Sequence, residues 1–170
     1  MRGEEFEETV LPHLRGLLST SLRVMRDRGE AEDVVQETFL RAWKSIDRFT
    51  PGTNIRAWLY TILFRVISNH RRKWLKFDCG WSVADEAGWE ATLVYEAPVA
   101  QHLSDEDVIA ALDRLPVQYK TVLLLAVVEE FSYKEIAAML RIPIGTVMSR
   151  LHRGRKMLAR EMKGISVYSA

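Results

Sequence analysis

Between Arg141 and Lys163 seven Lys or Arg side chains stand against one acid, Glu161. The chemistry they offer is binding: guanidinium and ammonium groups hold phosphates and donate to base edges, and they break no bonds by themselves. At about 100° per residue, Ser149, His152, Arg153, Lys156 and Arg160 share one side of a helix, and Val147, Leu151, Gly154 and Leu158 share the other. No comparable set supports catalysis. His13, His70, His102 and His152 are scattered singly, and the one cysteine, Cys79, has no CxxC or Cys/His cluster around it and reads as a passive reduced thiol. Glycine-rich phosphate loops, Ser/His/Asp sets and metal-ligand spacings are all missing, so an enzyme is disfavoured and no cofactor, metal or small-molecule substrate is expected.

The cationic helix needs elements to position it. Ser132 and Glu135 stand at capping-box spacing, which starts a short helix with Ile136, Ala137 and Leu140 as its apolar stripe. Pro143 disfavours helical geometry at Ile142 yet suits the start of a second helix, placed at about residues 144–162. Two helices joined by so short a turn form a helix-turn-helix, and with charge on one side only this reads as DNA recognition in the major groove.

The 170 residues are 48% hydrophobic, enough for one domain or two small ones. A net charge of +1 conceals an uneven distribution: residues 1–76 carry 14 bases and 10 acids, 77–103 carry 5 acids and no base, and 104–170 carry 10 bases and 8 acids. These limits define an N-terminal domain, 1–76, an acidic linker, 77–103, with Trp81, Trp89, Leu93 and Tyr95 as anchor points, and a C-terminal domain, 104–170. No apolar run reaches the length of a membrane span and the N-terminus is too acidic for a signal peptide, so a cytoplasmic, non-inserted chain is expected.

The spacing of Phe6, Val10, Leu14, Leu17 and Leu18 predicts a helix over 4–26, kinked or divided at Pro12, followed by a turn at Asp27-Arg28-Gly29. A second helix, 30–46, buries Ala31, Val34, Val35, Thr38, Ala42, Trp43 and Ile46 and leaves Asp33, Gln36, Glu37, Leu40, Arg41 and Lys44 outside. After the turn-rich loop 47–54, a third helix, 55–76, is apolar nearly all round as far as Ile67 and must run through its domain's centre. Its far end, from Arg65, holds five bases and no acid, with Asn69, His70 and Trp74 interleaved. Phe49, Trp58 and Tyr60 beside such a patch suit stacking on unpaired bases, although a core role is the simpler reading of Trp58. In the C-terminal domain Ser104 caps a helix ending at Leu115, and Pro116 opens another over 117–130 that packs against the helix-turn-helix.

The stretches AEDVVQETFLRAWKSIDRF, NIRAWLYTI, LDRLPVQYKTVLLL and FSYKEIAAMLRIPIGTVMSRLHRGRKML, in that order, resemble the extracytoplasmic-function (ECF) sigma factors of the sigma-70 family over most of the chain outside the linker. The resemblance implies an all-α fold of two small domains on a flexible linker, the first of three helices and the second of four with the helix-turn-helix. It implies a partner, core RNA polymerase, through its β′ clamp helices and β subunit, with Asp33, Gln36, Glu37, Leu40 and Trp43 as the docking face. Promoter DNA would be read at −10 by Phe49, Asn54, Arg56, Trp58, Tyr60, Arg65, Asn69 and Arg72, and at −35 by Thr146, Met148, Ser149, Arg150, His152, Arg153 and Lys156. An anti-sigma factor is a further implied partner, and nucleotidyl transfer is left to the polymerase.

Three positions depart from the family pattern: Met148 stands where a basic residue is common, Arg141 where glycine is frequent in the turn, and Arg65 where Asn is frequent. The rival reading, a stand-alone helix-turn-helix repressor, would need a dimer surface for paired half-sites and leaves the first domain without a use.

Overall fold

The computed structural model describes residues 3–74 and 105–168, and every regular element among them is helical. The linker, Cys79 and Ser104 lie outside these residues. Packing groups the described helices into two compact units: α1 to α4 with α7, and α5, α6 and α8.

In the first unit Pro12 divides the opening helix. α1 runs Gly3–Val10, a 3-10 turn covers Leu11–His13, and α2 runs Leu14–Met25, because the proline ring supplies no N–H for an α-helical bond. The turn expected at residues 27–29 is shorter than that. Arg26 adopts a left-handed conformation, φ 64°, and its N–H donates to the Leu22 carbonyl at 3.0 Å. Asp27 already caps α3, Arg28–Ser45, accepting the Glu30 N–H at 2.8 Å, so Arg28 and Gly29 are helical. α2 packs on α3, and α3 on α4, Ile55–Trp74.

The expected interior of α3 is buried at Ala31, Val34, Val35, Thr38, Ala42 and Ile46. Trp43 is the exception: it is 46% exposed, and its ring meets Phe6 edge-on with centroids 5.0 Å apart. α4 buries Leu59, Ile62, Leu63, Phe64, Val66 and Ile67, as its all-round apolar character requires. The buried hydroxyls of Ser21 and Thr38 donate to the carbonyls of Leu17 and Val34, each at 2.7 Å, which spares them the cost of an unpaired polar group in the core.

In the second unit α8, Ile144–Tyr168, lies against α5, Asp105–Arg114, and α6, Val117–Leu123. The helix expected to continue to residue 130 instead widens into a π-helical turn over Leu124–Val128, closed by the Glu129 N–H to the Leu124 carbonyl at 2.9 Å. The wider turn leaves Leu124 and Leu125 inside and pushes Val127 and Val128 out. α7, Tyr133–Leu140, begins directly after Ser132, where the capping spacing put it, and buries Ile136, Met139 and Leu140. Read from the sequence as part of the 104–170 domain, it groups by packing with the first unit. α8 runs past Met162, since Gly164 lowers helix propensity without ending a helix.

Candidate nucleic-acid interface

Arg141 ends α7 with φ 56°, the left-handed geometry that glycine adopts freely and a side chain does not. Pro143 precedes α8, and its carbonyl accepts the Val147 N–H at 3.2 Å, closing the first turn. α8 then presents two faces. Val147 and Leu151 are buried, and Gly154 brings the helix against Leu123 and Tyr119. Met148, Lys156 and Arg160 are exposed, while Thr146, Ser149, His152 and Arg153 are half-buried beside them. The Ser149 hydroxyl donates back to the Thr146 carbonyl at 3.1 Å.

Arg150 departs from the expected reading set. It is 5% exposed, so its guanidinium is not on the outward face. At four residues before Gly154 and one before Leu151 it flanks the packed side, and the Nε and Nη1 atoms of its guanidinium are buried along with its stem.

The second candidate surface surrounds the start of α4. Thr50-Pro51-Gly52-Thr53 is a turn in which Gly52 has φ 86°, the proline-then-glycine pattern of a type II turn, and the Thr53 N–H reaches the Thr50 carbonyl at 3.2 Å. Asn54 caps α4 by accepting the Ala57 N–H at 3.1 Å. The turn and cap set Phe49 beside Trp58, both half-buried. Tyr60 does not join them: it is fully buried, its hydroxyl 3.4 Å from the Thr20 hydroxyl, with the Arg56 guanidinium 5.5 Å above its ring. A base cannot stack on it, and its place is in the core. Arg65 and Asn69 are exposed further along α4, and the Arg72 side chain lies outside the described residues.

The third surface is the outer face of α3. Asp33 and Gln36 are exposed, Glu37 accepts from the Arg41 guanidinium at 2.6 Å, and Leu40 is 55% exposed one turn before the Trp43 ring. An apolar centre ringed by polar groups is the composition of a protein-docking patch.

Residues 9–75 match the sigma-70 region 2 family, and residues 105–158 match sigma-70 region 4. The ECF RNA polymerase sigma factor SigW of Bacillus subtilis is 34% identical, over 84% of this chain and 81% of its own length. The chain belongs to the ECF sigma factors. EcfG of Rhodopseudomonas palustris, another member, is 34% identical over 92% of this chain and 84% of its own. Among solved structures, the sigma factor RpoE of Bartonella quintana, in complex with the anti-sigma factor NepR, superposes with a TM-score of 0.71 at 29% identity, covering 95% of this chain and 98% of that one. As an ECF sigma factor the chain directs promoter-specific transcription initiation by RNA polymerase.

Two features of this sigma factor escape a reading of the sequence. Lys120 is 1% exposed, with its ammonium 3.4 Å from the Asp113 carboxylate, a cation buried between Tyr119 and Thr121. His13, one of four scattered histidines, has its pKa lowered by burial and, secondarily, by the Arg56 charge, which puts it near the start of α4. Neither is announced by local spacing, since each depends on a partner in another element. Among the described residues no helix is long and apolar enough to cross a membrane.

Proposed function

We propose that this sigma factor divides promoter recognition between its two ends. The outward face of α8, with Thr146, Met148, Ser149, His152, Arg153 and Lys156, reads the −35 element. The turn before α4 and the helix itself, through Phe49, Asn54, Arg56, Trp58, Arg65, Asn69 and Arg72, capture and hold the melted −10 strand. Asp33, Gln36, Glu37, Leu40 and Trp43 dock on the β′ clamp helices, with a further contact to the β subunit. The observation that carries this reading is the exposed Leu40 and Trp43 in a polar rim on α3, a surface a lone DNA-binding repressor would not need. The sigma factor contributes no catalytic residue; the polymerase supplies the nucleotidyl chemistry, and the site of action is the cytoplasm.

An anti-sigma factor is the second partner proposed, supported by the likeness to the Bartonella quintana sigma factor found in complex with one. Co-purification from the native host under non-inducing conditions should recover such an inhibitor; recovery of polymerase subunits alone argues against it.

In vitro transcription with purified core polymerase tests the main reading. Addition of the chain should yield promoter-specific transcripts, and a Gln36→Ala, Leu40→Ala double variant should bind core poorly while keeping its helical content. Nanomolar binding to an operator by the chain alone, with no transcripts gained from core, overturns the reading in favour of a repressor.

A further inference from the structure

Two large apolar side chains at the start of α8 stay exposed among the described residues. Ile144 is 47% exposed and Met148 44% exposed, and at four residues apart they form one continuous apolar strip along the first turn. The surface around them is not apolar. Arg155, on the same side of the helix at about 100° per residue, is exposed, and Lys156 is exposed on the next side round, with His152 half-buried between them. A hydrophobic protein surface laid on this strip would have to desolvate Arg155 and crowd Lys156 without pairing either, whereas a polyanion pairs them as it seats. Charge complementarity therefore selects DNA as the occupant.

We infer that Ile144 and Met148 form an apolar reader of thymine methyl groups in the −35 element, an inference that rests on α8 being the −35 reading helix. The residues at the N-terminal end of a recognition helix are the ones that reach base edges. In the major groove the thymine C5-methyl is the apolar group available to such a strip, because the other base edges present donors and acceptors. Selection then has two parts. Methyl against methyl or thioether removes apolar surface from water, and the unbranched Met148 side chain adapts its rotamers to the contact. Over guanine or cytosine the same side chains displace water from O6, N7 or N4 and return no hydrogen bond, which penalises those bases. A basic residue at position 148, common in the family, would reverse this preference by donating to guanine.

The test uses the full chain in holoenzyme with core polymerase. Selection from promoters randomised at −35 defines the preferred sequence, and each thymine in it is then replaced by deoxyuridine, which removes the methyl and leaves every hydrogen-bonding group. The wild type should lose about four-fold in affinity for each methyl that is contacted. Met148→Ala should bind thymine and uracil duplexes alike at one of those positions, and Met148→Arg should move the selected base there toward guanine. Equal affinity of the wild type for thymine and uracil duplexes, or a selected −35 with no thymine, overturns the inference while transcription still proceeds. If core polymerase yields no promoter-specific transcripts at all, the −35 reading itself fails and the inference falls with it.

Discussion

The rings of Phe49 and Trp58 lie with centroids 5.3 Å apart and planes inclined at 51°, across the boundary between the Pro51-Gly52 turn and α4. Both rings are half-buried, so part of the pair is open to solvent while each ring holds the other in place. An unpaired base stacked on such a platform gains about 1–3 kcal/mol. Trp58→Ala should therefore reduce promoter opening by holoenzyme about ten-fold or more, with duplex binding retained. Permanganate reactivity of unpaired thymines reads the opening directly. Unchanged reactivity in both Trp58→Ala and Phe49→Ala removes this pair from the −10 surface.

Lys156 is exposed on α8, and Arg153, half-buried, lies close to it on the outward face. Lys156→Ala should weaken binding on all sequences alike and reduce the slope of log affinity against log salt by about one. On the proposed −35 reading, Arg153→Ala should also relax preference at one or two positions, because guanidinium contacts to base edges carry sequence preference. Salt titrations on matched and mutated −35 duplexes separate the two. Wild-type affinity in both variants takes this face out of the interface.

Arg141 holds φ 56° in the turn before α8. That conformation costs a side chain about 1 kcal/mol, which glycine avoids, although glycine also gains entropy when unfolded. Arg141→Gly should stabilise the chain by up to about 1 kcal/mol, and Arg141→Val should destabilise it. Chemical denaturation followed by circular dichroism measures both. A loss of stability in Arg141→Gly would mean that the arginine side chain makes contacts worth more than the strain.

Much of the fold is legible because its signals are local. Ser132 and Pro143 mark helix boundaries by their own local chemistry, and the stripes of α3 and α8 follow from helical periodicity. The misreadings share a different cause. Trp43 fits the buried stripe of α3, yet its exposure depends on where Phe6, far away in sequence, sets its ring. Tyr60 sits in a helix apolar nearly all round, where no periodicity tells a core aromatic from a surface one. The charge of Arg150 suggests an outward place, although its angular position beside Leu151 and Gly154 points inward. The π-helical turn after Leu123 has no sequence signature of its own.

At Gly154 α8 lies tightly against α6. A Cβ there would lie 3.0 Å from Leu123 Cδ1, 3.3 Å from its Cγ and 3.4 Å from Tyr119 Cβ. Gly154→Ala gains helix propensity against this tight contact, so its net effect should be small. Gly154→Val adds two branched methyls to the same gap and should cost about 1–3 kcal/mol. Urea denaturation of the two variants provides the comparison. Equal stability of the Gly154→Val variant and the wild type would show that α6 yields to α8 without strain.

The inward set on α8, Val147, Arg150, Leu151 and Gly154, has a consequence for inheritance. Substitutions at the exposed positions opposite leave the packed side intact, so they change what α8 offers to a partner at little thermodynamic cost. Duplicated copies of such a gene can therefore diverge on the exposed side of α8 without losing the helix that presents it.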